Sequence, residues 1–153
     1  MKRTFVCIIA VMIAGCATRP RLVPFEVQFD HFFPDDSRYI SKMYHDAYQK
    51  VMSAPQRHGD FGAASAGDAA ALRRYLLIAT TEAESLDGGK GEDYSSDLVF
   101  LLIRTGDVSF SSALRTLTGE EREAVGRELD AGISSERAWF PRTTSLYRHR
   151  WHL

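Results

Sequence analysis

The fold of this chain is decided by one short stretch, Leu98-Val99-Phe100-Leu101-Leu102-Ile103. A helix on a protein surface needs a polar face, but this stretch is apolar on every side of a helix. We therefore predict a central buried helix that begins at Ser95 or Ser96. Gly106 is suitably placed to end it, because glycine is favoured just after a helix end.

Capping signals predict further helices on both sides of this segment. Asp68 precedes apolar residues at helical spacing that fade near Ser85, so it is expected to cap a helix there. Asp107 stands in the same position before a short helix with apolar members Phe110, Ala113, Leu114 and Leu117.

The last strong helix signal lies after residue 117. Thr118 and Glu121 have the T-x-x-E spacing of a capping box, in which each side chain bonds the backbone of the other residue. A helix is therefore predicted through Asp130, ended by Gly132.

The N-terminal part of the domain contains one clear amphipathic helix. Apolar residues recur there in adjacent pairs every four positions and so form one stripe: Tyr39, Ile40, Met43, Tyr44, Ala47, Tyr48, Val51 and Met52. Residues 23–30 alternate between apolar and polar types, which indicates a short edge strand or an extended arm. Residues 53–67 and the acidic, glycine-rich residues 86–93 are predicted as loops.

These patterns predict an all-α fold, a small irregular helical bundle of about five helices. An extended N-terminal arm and an aromatic, basic C-terminal tail flank the bundle. The dipeptides Gly67-Asp68 and Gly106-Asp107 lie 39 residues apart, which suggests a helical repeat. The apolar residues after them do not match in register, and two copies are too few for a solenoid, so a repeat is not expected.

The N-terminus carries a targeting signal. Lys2 and Arg3 precede an apolar run over residues 5–13, and Ala14 and Gly15 stand directly before Cys16. The run is too short for a transmembrane helix, which needs roughly 20 apolar residues. The pattern resembles the lipobox of bacterial lipoproteins.

This resemblance implies cleavage before Cys16 and lipidation of that cysteine by a diacylglyceryl group and a fatty acid such as palmitate. The domains are then a signal peptide at 1–15, a lipidated tether at 16–24 and a single helical periplasmic domain at 25–153. Ala17 replaces the aspartate that retains enteric lipoproteins in the inner membrane. The implied location is the periplasmic face of the bacterial outer membrane, where the protein is lipid-anchored.

Composition narrows the classes of function. Cleavage would remove Lys2 and Arg3 from the 19 basic residues, leaving 17 against 20 acidic residues and a formal net charge of −3. This balance argues against a nucleic-acid partner. The chain has two cysteines, Cys7 and Cys16. Cys7 would be removed with the signal peptide and Cys16 would be acylated, so no thiol remains for a disulfide, a zinc-thiolate site or a nucleophile.

No metal or cofactor site is expected from the residue patterns. His149 and His152 have helical spacing, but the tail offers no cysteine and little carboxylate to complete a metal site. The acidic residues that begin at Asp87 fail the calcium-loop pattern, because leucine stands where that pattern needs its final glutamate.

No catalytic residues are assigned either. Glu82 and Glu84 are two apart and point to different sides of a helix. Ser65 misses the nucleophile-elbow pattern by one position and follows no strand. His45 and Asp46 are helix neighbours whose side chains diverge by about 100 degrees.

The C-terminal tail combines arginine with aromatic residues, a composition typical of binding hot spots. We predict that Trp139 and Phe140 dock on the bundle and that the tail divides near Pro141. The segment beyond, with Tyr147, Arg148, Arg150 and Trp151, is predicted to bind a partner. Truncation after Thr144 is then expected to leave the fold intact.

The sequence therefore favours a noncatalytic protein-interaction module on a lipid anchor, acting as an adaptor, assembly factor or immunity-type inhibitor. Its partners are the membrane, through acylated Cys16, and another envelope protein. The alternative is a small peptidoglycan-active enzyme, with its acid among Glu82, Glu84, Glu92 or Asp93 and its pKa raised by a groove.

Overall fold

The computed structural model describes residues 22, 42, 45–46, 59–86, 88–133 and 137–147. These residues form α1 (Gly59–Ser65), α2 (Ala69–Leu76), α3 (Ile78–Thr81), α4 (Gly89–Arg115), α5 (Gly119–Gly132) and α6 (Pro141–Thr144). Two 3₁₀ turns lie at Ala83–Ser85 and Arg137–Trp139. No strand occurs within these ranges. The predicted all-α class is confirmed.

Helix α4 is the centre of the domain. Every residue of 98–103 is at most 3% exposed, so the stretch is buried on all sides. Helices α1, α2, α5 and α6 all pack against α4. Within the described ranges, no helix is long and apolar enough to cross a membrane. The predicted central buried helix is confirmed.

The start of α4 corrects one prediction. The helix begins at Gly89 and not at Ser95 or Ser96, so residues 89–93 of the predicted acidic loop are helical. Gly91 and Tyr94 are both buried in these first turns. Their packing against the preceding chain outweighs the low helix propensity of glycine, which is worth about 1 kcal/mol per residue.

Helix α4 is broken at Gly106, where φ is 81° and ψ is 157°. This backbone conformation is open only to glycine, so the chain changes direction there, as the sequence indicates. The role predicted for Asp107 is corrected. Its two carboxylate oxygens accept hydrogen bonds from the backbone N–H groups of Arg142 and Thr143, at 2.9 and 2.8 Å. Asp107 therefore caps the distant helix α6.

The two other predicted caps are confirmed. Asp68 Oδ1 accepts hydrogen bonds from the backbone N–H groups of Ala70 and Ala71, at 2.8 and 2.9 Å. Thr118 and Glu121 form the reciprocal capping box. The hydrogen bond from the Thr118 backbone N–H, 2.7 Å long, lowers the pKa of the Glu121 carboxyl.

Helix α1 corrects the loop predicted over residues 53–67, because residues 59–65 are helical. Phe61 lies 5.5 Å from the Tyr75 ring and 5.7 Å from the Phe100 ring, between centroids. This aromatic contact brings together three separate parts of the chain. The residue types near Phe61 favour a loop locally, and burial of the ring against α2 and α4 overrides that preference.

Several predictions fall outside the described residues. They include the extended arm, residues 53–58 and most of the amphipathic helix over 39–52. The three described residues of that helix, Lys42, His45 and Asp46, are helical and exposed. Lys42 Nζ lies 2.6 Å from Asp46 Oδ2, one helical turn away.

The C-terminal segment is part of the core through Tyr147. Phe140 is 1% exposed and Trp139 packs partly buried on the core, as predicted. Tyr147 is 6% exposed, and its hydroxyl donates to Asp130 Oδ1 at 3.2 Å. Its ring lies against Gly126, where any Cβ would overlap it. Truncation after Thr144 removes this ring, so the structure predicts that such a truncation lowers the stability of the fold, contrary to the expectation from the sequence.

Replacing Tyr147 tests its place in the core. We expect Tyr147→Ala to lower the free energy of unfolding by about 3–5 kcal/mol, as for other buried aromatic residues. Tyr147→Phe keeps the ring and loses the hydrogen bond to Asp130, so the loss is about 1–3 kcal/mol. Urea denaturation measures both. The control is Arg127→Ala on the exposed side of α5, and a Tyr147→Ala variant as stable as this control would contradict the placement.

A pair of glycine substitutions tests the break in α4. Gly106→Ala has space for its methyl group but forces alanine into a positive φ, so we expect a loss of about 1–3 kcal/mol. Gly62→Ala in α1 also meets open space, at an ordinary helical position, and should add about 0.5–1 kcal/mol. Thermal or urea unfolding of the two variants compares them directly. Equal changes in the free energy of unfolding would show that the positive φ at residue 106 does not require glycine.

Candidate binding groove

Gly67 of the first Gly-Asp dipeptide and both residues of the second, Gly106 and Asp107, line one groove. Gly67 has φ of 93° and ends the turn before α2, while Gly106 has φ of 81° and breaks α4. Each glycine redirects the chain at the start of one wall of the groove. The shared dipeptide therefore marks two similar turns at one place, although the two aspartates cap different helices.

The groove runs between the start of α2 and the part of α4 that follows Gly106, and its volume is about 880 Å³. This volume falls within the range of ligand and partner sites, roughly 300–1,000 Å³. Its floor is formed by the buried residues Leu72, Thr105 and Ala113. The other residues that line it are half-exposed or exposed: Gly67, Ala69, Ala70, Arg73, Gly106, Asp107, Val108, Ser109, Ser112 and Thr116.

Val108 stands at this groove with 60% of its surface exposed. It is the one large hydrophobic residue that is exposed in the described part of the chain. A single exposed valine is ordinary on a protein surface. Here it adjoins the alanines of α2 and the buried Leu72, so the groove offers a connected apolar surface.

The two charged residues that line the groove, Asp107 and Arg73, differ in the bonds they already make. Asp107 is engaged by the N-terminus of α6 through both carboxylate oxygens. Arg73 is exposed on α2 and is the one basic residue among those that line the groove. Its charge helps to lower the pKa of Glu121, but the Glu121 carboxylate is already bonded to Thr118. The groove therefore holds one guanidinium and one carboxylate beside an apolar floor.

Buried hydrogen bonds hold the end of α2 against the part of α4 that precedes Gly106. Tyr75, on α2, donates its hydroxyl proton to Asp97 Oδ2 of α4 at 2.5 Å. Tyr94 of α4 donates to the Leu76 carbonyl at 3.0 Å, near the end of α2. Burial raises the pKa of the Tyr94 hydroxyl far above its ordinary value. The raised pKa favours the protonated hydroxyl that donates this hydrogen bond.

Two further contacts connect α1 to α4 and to α2. Arg104 Nε donates to the Ser65 carbonyl at 3.1 Å. Arg74 forms an ion pair with Asp60, in which the guanidinium lies 2.7 Å from the carboxylate, and this pairing raises the pKa of Arg74. The groove is thus part of a supported surface on three packed helices.

The carboxylates considered for an enzyme lie elsewhere. Glu82, Glu84, Glu92 and Asp93 are all exposed, and none lines the groove. Ser65 Oγ donates to the Gly62 carbonyl at 2.9 Å, as in an ordinary last helical turn. Asp87 lies outside the described residues.

The other predicted site residues divide between the core and the undescribed part of the chain. Tyr147 lies in the core and not on an open surface, so the structure does not present it for partner binding. Cys16, Arg148, Arg150 and Trp151 lie outside the described residues, as do His149 and His152. Within the described part, no cluster of three or more His, Cys, Asp or Glu side chains could hold a metal ion.

Sequence reasoning missed the groove because no single segment contains it. From the sequence, Val108 is one more apolar residue before a short helix, and Arg73 belongs to the solvent-exposed face of a helix. The repeated Gly-Asp dipeptide was the available signal, but the groove itself requires α2 and α4 to pack side by side.

Comparisons of the chain with protein-family models, with curated proteins and with solved structures found no match. The groove, the chemistry of its lining residues and the lipobox-type N-terminus are therefore the features that bear on function.

Proposed function

We propose that this protein is a membrane-anchored periplasmic lipoprotein whose helical domain is a noncatalytic protein-interaction module. The groove beside Val108 is the single observation that carries the interaction part of the proposal. The lipobox resemblance at residues 1–16 supports the anchor, on the periplasmic face of the outer membrane. The role fits an adaptor, an assembly factor or an immunity-type inhibitor.

The chemistry of the groove supports binding over catalysis. Its lining contains serines and threonines but no histidine, cysteine or glutamate. General acid-base catalysis needs a titratable group within hydrogen-bond reach of the substrate. Asp107 is the one carboxylate of the lining, and α6 already occupies both of its oxygens. A partner surface is the simpler use of these residues.

The alternative, a peptidoglycan-active enzyme, gains no specific support from the described residues. Such an enzyme needs a protonated carboxyl at neutral pH, and the four candidates are exposed. We expect detergent-solubilised full-length protein to release no muropeptides from purified peptidoglycan. Release that disappears in Glu82→Gln or Glu92→Gln would overturn the noncatalytic proposal.

The lipid anchor has its own test. We expect cells that express the wild-type protein to incorporate labelled palmitate into it, since lipidation is predicted at Cys16. Cys16→Ser should abolish the label and leave a soluble or uncleaved product. Sucrose-gradient fractionation of the envelope locates the labelled protein, which we expect in the outer-membrane fraction. A wild-type protein without label would rule out the anchor, whatever the domain binds.

The interaction is tested by a charge placed at the groove. We expect chemical crosslinking in cells, followed by purification, to recover the same envelope protein with the wild type and with the control Ala83→Asp. Ala83 is exposed and does not line the groove. Val108→Asp should reduce the recovery about tenfold, because an apolar contact is replaced by a desolvated charge. Equal recovery with both variants would place the interaction elsewhere.

A further inference from the structure

We draw no further inference here: the strongest candidate, the groove between the start of α2 and the part of α4 that follows Gly106, supports nothing beyond the proposed interaction, because nothing among the described residues shows what covers its apolar floor.

Discussion

The structure depends on the complete burial of Leu98–Ile103. A helix segment without a polar face is stable only when other elements cover it on every side, because its exposed apolar surface would cost about 25 cal/mol per Å². Helices α1, α2, α5 and α6 supply that cover. Two hydrogen bonds lie inside the cover: Tyr75 bonds Asp97, and Tyr94 bonds the end of α2. These bonds offset part of the cost of burying polar groups where the helices approach one another.

The break at Gly106 is the other consequence of this arrangement. Once the central segment has been covered, the chain leaves the core at Gly106 and continues in a new direction. Asp107 then bonds the N-terminus of α6 from a position 35 residues earlier in the chain. A local capping signal thus acts at long range, and it holds the C-terminal segment against α4. The same turn separates the last part of α4 from α2 and leaves the groove between them.

The groove shows how function and fold are connected in this domain. Its floor belongs to the core, since Leu72 and Ala113 are buried, while its rim carries the exposed Val108 and Arg73. Rigid walls reduce the ordering cost of binding, because few side chains must be immobilised when a partner arrives. The apolar floor beside the exposed Val108 is the feature that supports the proposed protein-interaction function. Exposed carboxylates elsewhere on the surface provide no comparable site.

The sequence by itself determined the features that depend on neighbouring residues: the central apolar helix, the caps at Asp68 and Thr118, the break at Gly106 and the all-α class. Each of these follows from hydrogen bonds or periodicity within a few residues. Only the tertiary structure decided the helical state of 59–65 and 89–93, the burial of Tyr147 and the partner of Asp107. It also decided the groove, because Arg73 and Val108 line one groove only when α2 packs on α4. In each case contacts between distant segments outweighed local preference, and such contacts leave no periodic signal along the chain.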